Sequence, residues 1–350
     1  MPRMIFDRPE EETLVGSERL LRGNIGYIIQ LFIVVIYIQY KFPMMPHQIS
    51  MEYRNDQSVT DGHDGEEIIE VRDLVVRFGD VTAVDGISFS VRRGEIFGFL
   101  GPNGAGKTTT IRTITTIQRM TSGSIMVDGF DVSGDYLEVR RRIGIAQQHI
   151  SLDKHLTVRQ NIKQHALLHK IPRSEMDSRI ERAVELLGLD EYMDRLVDEL
   201  SGGWKRKTSI VCSIVHEPEV LLLDEPTAGL DTKSRHVLWD LVQTLNSHGT
   251  TIFLTTHYME EAELLCDRVA IMDRGRLVAI GTVDELRDIV GRVTVEMSDP
   301  DGRTVRRHFP DRESAKAFAN GLGDTYFNIR RTTLEDVYLS ITDGSRGGLA

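Results

Sequence analysis

The sequence predicts an α/β protein with a mainly parallel core sheet, an antiparallel β subdomain at its start and a small α+β unit at its C-terminal end. Three observations carry this expectation. Between residues 67 and 290, short apolar runs rich in β-branched and aromatic residues alternate with stretches whose apolar positions recur every three or four residues. Two of the runs, in EVLLLDEP and TTIFLTTH, are continuous and flanked by polar residues, the pattern of parallel strands covered on both faces. A glycine-rich segment also separates one apolar strand from one helical stretch, as in strand–loop–helix units.

In chain order, EIIEVRDLVVRF, AVDGISFSV and GEIFGFLG are expected as strands, the first two opening the antiparallel subdomain. TVRQNIKQHALLHK and MDSRIERAVELLGL are expected as helices, the second stopped by Gly188, which can take the left-handed conformation of a helix end. Beyond residue 290, VTVEMS and TVRRHF flank the turn-like DPDG and form a hairpin. RESAKAFANGL follows as a helix, YFNIRR as a strand and TLEDVYLSIT as a helix. No internal repeat is visible. The chain divides into an N-terminal extension with a polar linker (1–66), a central domain (67–290) and a C-terminal accessory unit (291–350).

The 350 residues are 40% apolar and 27% charged, a soluble globular composition with material for a sizeable core. The 42 basic against 53 acidic residues give a net charge of −11, which argues against a nucleic-acid partner. The two cysteines, Cys212 and Cys266, sit among apolar residues and make no disulfide framework or zinc motif. The one long apolar run is Ile25–Tyr40. As a helix it would extend about 24 Å, short of a ~30 Å hydrocarbon core. Glu10, Glu11 and Glu12 stand where a secretory signal carries positive charge. Three readings stay open for it: a short membrane anchor, a helix lying at an interface or against a partner, or an extension from an upstream start with Met44, Met45 or Met51 as later starts. One such run cannot form a membrane channel.

Gly101-Pro102-Asn103-Gly104-Ala105-Gly106-Lys107-Thr108 fits GxxxxGK[ST] and lies between the strand EIFGFL and the helical TTTIRTIT. Glycines let successive N–H groups converge on one phosphate chain, and the helix start adds the positive end of its dipole. Lys107 can pair with the β- and γ-phosphates, and the Thr108 hydroxyl can ligate Mg²⁺, with Thr109 closing the loop. The second half of such a site is the apolar strand ending in Asp224-Glu225: Asp224 can hold the Mg²⁺ shell and Glu225 can polarise an attacking water.

Leu200-Ser201-Gly202-Gly203, standing between those two motifs, is where the sequence resembles the ATP-binding subunit of an ABC transporter, over residues 67 to 290. The resemblance implies a P-loop NTPase fold with a helical subdomain carrying the Ser-Gly-Gly signature. It implies that Phe78 stacks on adenine and that Gln148 approaches Mg²⁺ and the attacking water, the distance from Ile143-Gly144 favouring it over Gln147. It further implies that Ser201, Gly202 and Gly203 contact the γ-phosphate bound by a partner subunit, that Asp231 lies at the subunit contact, and that His257 contacts the γ-phosphate. Two positions depart from the pattern: Trp204 replaces a common Gln, and Gln147 a frequent Pro. TLEDVYLSITDG is similar to the tail of the daunorubicin-resistance type of ABC ATPase, whose exporters use a separately encoded membrane subunit.

The expected activity is ATP hydrolysis by a homodimer with Mg²⁺, driving efflux of a drug, antibiotic or lipid-like substrate through a separate permease at the cytoplasmic face of the membrane. The segment Gln148 to Arg159 would grip that permease. The alternatives are a soluble non-transport ABC ATPase and the ATPase of an importer. A chromosome-type relative is disfavoured because the spacing from Lys107 to Ser201 leaves no room for a long coiled coil. Fractionating the full-length chain beside one started at Met51 separates the readings of the N-terminal run: a full-length form that stays soluble without its partner removes the anchor.

Overall fold

A computed structural model describes residues 66–299, 302–323 and 325–344. The apolar run Ile25–Tyr40 lies outside them. The chain begins with β1 (Glu67–Phe78) and β2 (Val81–Arg92), a long antiparallel pair, followed by β3 (Ile96–Leu100) and α1 (Lys107–Ile114). Next come β4 (Ser122–Val127), β5 (Phe130–Asp131), α2 (Tyr136–Arg142) and β6 (Ile143–Ala146). A helical block follows: α3 (Val158–Leu168), α4 (Arg173–Leu187) and α5 (Gly202–Ile214). Then β7 (Val220–Asp224), α6 (Thr232–Ser247), β8 (Thr251–Thr256), α7 (Met259–Leu265), β9 (Arg268–Asp273), β10 (Arg276–Gly281) and α8 (Val283–Val290) complete the central region. The C-terminal unit holds β11 (Val293–Ser298), β12 (Thr304–Phe309), α9 (Arg312–Asn320), β13 (Phe327–Arg331) and α10 (Leu334–Gly344).

Three sheets result. The core sheet has the order β10-β9-β3-β8-β7-β6, with every pairing parallel except that of the edge strand β10. The second, β2-β1-β4-β5, is antiparallel, as its alternating sequence predicts. The third, β12-β11-β13, is the C-terminal hairpin extended by one strand.

Period-two alternation in the core strands explains why their sequences are apolar throughout. Leu221, Leu223, Ile252 and Leu254 face the helical block, while Val220, Leu222 and Phe253 face the antiparallel sheet and α1. On that second side Phe89, Phe97, Phe99 and Phe253 pack with ring centroids 5.3–6.0 Å apart. The helices carry their own punctuation. Thr157 and Gln160 form a capping box at the start of α3, and Gly188 ends α4 at φ +59°, as expected from sequence.

The C-terminal helix α10 does not stand apart from the central region. Leu334 and Val337 are fully buried with Leu100, Ala262, Ile271 and Leu286. Arg287 donates from Nε to the Thr332 carbonyl at 2.8 Å. Within the unit, Arg330 pairs with Asp336 and Glu296, and burial of Asp336 is outweighed by that guanidinium and by Thr333, which hold its carboxyl down to about 2.

The helical block contains a group of imidazoles. His169, after α3, stacks on His216, after α5, with centroids 3.6 Å apart, and His216 Nε2 lies 3.0 Å from the Ile143 carbonyl oxygen. Burial, with His169 adding to it, pushes the His165 imidazole from 6.5 down to about 4, and burial followed by the same neighbour does so for His216. These rings are neutral in the folded chain down to about pH 4, whereas the unfolded chain protonates them near 6.5. The stability they contribute is therefore complete above about pH 6.5 and is lost as pH falls toward 4. The urea midpoint is expected to fall across that window, and His165→Leu to flatten part of the fall; a midpoint that ignores pH there would contradict the neutral, buried state of these rings.

Candidate active site

The site lies at the C-terminal ends of the parallel strands, where a sheet of this kind leaves a crevice. The fully buried β3 runs into the segment Gly101–Gly106, and α1 starts at Lys107. Gly104 and Gly106 take φ of +83° and +110°, conformations that suit glycine, so the loop can curl without strain. A Cβ on Gly106 would lie 2.5 Å from the Ala83 carbonyl oxygen and 2.7 Å from Met272 Cε. Lys107 is 4% exposed, and its Nζ donates to the carbonyls of Gly101 at 2.8 Å and Pro102 at 3.1 Å. Burial lowers its pKa, with the Glu225 and Asp224 carboxylates opposing.

The acids are delivered by β7. Asp224 ends the strand, and its Oδ1 accepts from Thr255 Oγ1 at 2.7 Å and from Thr108 Oγ1 at 3.3 Å. Glu225 follows in a left-handed conformation, φ +46°, which costs a non-glycine residue about 1–3 kcal/mol. Its N–H is held by the Thr255 carbonyl and hydroxyl, both at 3.1 Å. Its side chain, 9% exposed, is surrounded. Lys107 Nζ lies 3.5 Å and His257 Nδ1 3.3 Å from Oε1, while Gln148 Nε2 donates to Oε2 at 3.2 Å. The His257 contact lacks hydrogen-bond alignment and becomes an ion pair only when the ring is protonated. A cavity of about 290 Å³ is lined by Asn103, Gly104, Gly106, Lys107, Thr108 and Thr109 from the loop, by Gln148 and Glu225, and by Ala83 of β2. A larger groove of about 730 Å³ lies at the opposite ends of β7 and β8, among Arg179, Arg182, Glu217 and Glu219.

The structure thus brings Lys107, Thr108, Asp224, Glu225, Gln148 and His257 together within one chain. Phe78 ends β1 at the hairpin whose return strand supplies Ala83, and the residue is 49% exposed. Ser201 and Gly202 do not line this cavity. They are exposed at the start of α5, where the Ser201 hydroxyl makes no cap bond to its own helix, and Ser201 and Gly203 line a separate cavity of about 230 Å³. Asp231 is also exposed and caps α6, accepting from Ser234 N at 2.9 Å and Ser234 Oγ at 2.7 Å; those bonds lower its pKa.

Both departures from the expected motifs have a physical setting. Trp204 stacks on Tyr192 with centroids 3.9 Å apart, and the Lys207 ammonium sits 4.8 Å from the Trp204 ring centre. Gln147 offers its carbonyl to Arg206. Cys212 is buried and Cys266 half-buried, and burial pushes both thiols up. Sequence reasoning missed Thr255, which joins Asp224 to the Glu225 backbone. Its one signal is its place two residues before His257.

A phosphate-cradling loop with two strand-end acids, one in contact with the loop lysine, defines a P-loop nucleotide hydrolase. The sequence profile of the family described as ABC transporter matches residues 84–228. Daunorubicin resistance ATP-binding protein DrrA3 of Streptomyces coeruleorubidus is 37% identical over 297 residues, covering 77% of this chain and 94% of that protein. Nod factor export ATP-binding protein I of Ralstonia nicotianae is 40% identical over 233 residues, covering 67% of this chain and 73% of that protein. Among solved structures, an ATP binding subunit of an ABC transporter superposes with a TM-score of 0.60 at 26% identity, over 79% of this chain and 99% of that one. A second, cbiO1 from Clostridium perfringens, described as part of the ABC transporter complex cbiONQ, gives 0.58 at 32% identity, over 62% and 88%. This chain belongs to the ABC transporter family as an ATP-binding subunit, and its reaction is ATP hydrolysis.

The Gly106 geometry sets a direct test. Gly106→Ala is expected to displace the loop from Ala83 and Met272 and to abolish ATP binding in titration calorimetry while the far-ultraviolet circular dichroism stays unchanged. Retained ATP affinity would contradict the close approach.

Proposed function

We propose that this chain is the ATPase of an exporter, working as a homodimer with Mg²⁺ beneath a separately encoded permease at the cytoplasmic face of the membrane. The observation that carries the hydrolytic reading is the Glu225 carboxylate, held among Lys107, His257 and Gln148 at 3.2–3.5 Å on the wall of the loop cavity. The export reading is supported by relatives named for daunorubicin resistance and Nod factor export. Among the described residues no helix is long and apolar enough to cross a membrane. The division of labour is an ATP-binding domain over 67–290 and an accessory unit over 291–350.

In the proposed cycle the triphosphate lies along Gly101 to Thr109, with Phe78 against the adenine. Lys107 and His257 meet the γ-phosphate, and Glu225 orients the attacking water and takes its proton, with Gln148 steadying both. The oxygens of Thr108, Asp224 and the Gln148 amide suit Mg²⁺, a hard cation usually held by one or two protein carboxylates together with phosphates and water. When bound, the ion would draw negative charge from the β- and γ-oxygens.

Ser201, Gly202 and Gly203 stand apart from this cavity at an exposed helix start, whose N–H groups and dipole favour an anion. A second copy would bring its signature over the γ-phosphate, with Asp231 at the subunit contact, and loss of that phosphate would part the two. Glu225→Gln is expected to keep ATP affinity, to lower turnover by about 100-fold or more and to accumulate a nucleotide-bound dimer in size exclusion. Turnover at the parent rate would remove Glu225 from the base role.

A further inference from the structure

The Arg206 side chain touches both the backbone of the strand-end acids and that of the glutamine segment. It lies in the fifth position of α5 and is 3% exposed. Its guanidinium bonds are to main-chain carbonyls. Nε donates to Pro226 O at 2.8 Å, and Nη2 to Asp224 O and Glu225 O, both at 3.2 Å. Nη1 donates to Gln147 O and, at 3.5 Å, to Gln148 O. Burial pushes its pKa down to about 10, with Asp224 and Glu261 opposing, so it stays charged at neutral pH.

Only a planar fork can span these carbonyls. Five donors in fixed directions meet two backbone segments that come from different parts of the sequence, residues 147–148 and 224–226. Lysine, with three donors on a single nitrogen, cannot make all five bonds. One of the two segments contains Glu225 at φ +46°, a conformation that needs its surroundings to hold it. Thr255 holds the Glu225 N–H from one side, and Arg206 holds its carbonyl from the other. Because Arg206 belongs to the helix that begins at Gly202, it also ties the Ser201–Gly203 end of α5 to the catalytic wall of the same chain.

We infer that Arg206 is a positioning residue for hydrolysis: it fixes the separation of the Glu225 and Gln148 side chains and makes the signature helix and the catalytic loop one rigid body. The inference rests on the catalytic reading of Glu225. It differs from a purely structural role in what it predicts for kinetics. Arg206 contacts neither the phosphate loop nor its cavity, so ATP binding should survive its loss while the chemical step does not.

The test uses the full-length chain and its Arg206→Lys and Arg206→Gln variants. Arg206→Lys keeps charge and loses the fork, and is expected to lower kcat by about 10- to 100-fold, the scale of a misplacement near 1 Å, with the KM for ATP changed less than about 2-fold. Arg206→Gln, which keeps two donors and no charge, should lower kcat in the same way. In a Glu225→Gln background neither substitution should reduce the residual rate further, since both act through one carboxylate. Hydrogen exchange reads the clamp without turnover: amides at 147–149 and 224–227 should exchange faster in both variants, and those of β1 and β4 should not. Parent exchange rates there, a parental kcat, or a KM that rises in step with the fall in kcat would overturn the inference. Glu225→Gln turning over like the parent would defeat the catalytic reading instead, and the exchange result would still decide the clamp.

Discussion

The ion pair between Lys107 and Glu225 is nearly closed to solvent, 3.5 Å long, at the point where the phosphate loop meets the end of β7. Two charges taken out of water are costly unless their remaining bonds are filled. Here they are filled from the scaffold. Lys107 donates to two loop carbonyls, and Glu225 accepts from Gln148 and faces His257. The parallel strands bring the loop, the acids and the histidine to one rim, and the aromatic core beneath them fixes the sheet's shape.

The same arrangement explains why the site is strained and why the strain persists. The positive φ of Glu225 turns its side chain toward the loop, and a free chain would relax from it. The Thr255 backbone and hydroxyl, the Arg206 guanidinium and the Lys107 ammonium over-determine it. A carboxylate held in this way spends little energy on reorganisation when nearby charge moves. Elements that do not line the cavity are nonetheless joined to it. The helix that starts at the Ser-Gly-Gly segment carries Arg206, and α10 at the far end of the chain packs beneath β3, the strand that delivers the loop.

Much of the fold was legible in the sequence because its signals are local. The alternating β1 and β2, the uninterrupted β7 and β8, the stop at Gly188 and the C-terminal hairpin follow from side-chain period and turn chemistry. The loop was legible for the same reason, since GxxxxGK[ST] between strand and helix states its own backbone requirements. Thr255 and Arg206 were not legible. A threonine near a strand end and one of three basic residues in KRK look like solvated polar positions until the strands and α5 are assembled. Nor did the sequence say that Leu334 and Val337 would share a core with Leu100 and Leu286, because that contact joins segments far apart in the chain.

By itself, then, the sequence determined the class of fold, the nucleotide loop and the identity of the acids, all of which rest on short-range pattern. Tertiary structure decided the rest. It set the amide of Gln148, the glutamine the sequence already favoured, against the Glu225 carboxylate, gave Gln147 a backbone role through its carbonyl, and placed Ser201 at a cavity separate from the one lined by Lys107. The reason is geometric: a side chain's partner is set by which strands lie side by side and which way each alternate residue points, and neither is written in the spacing of a single segment.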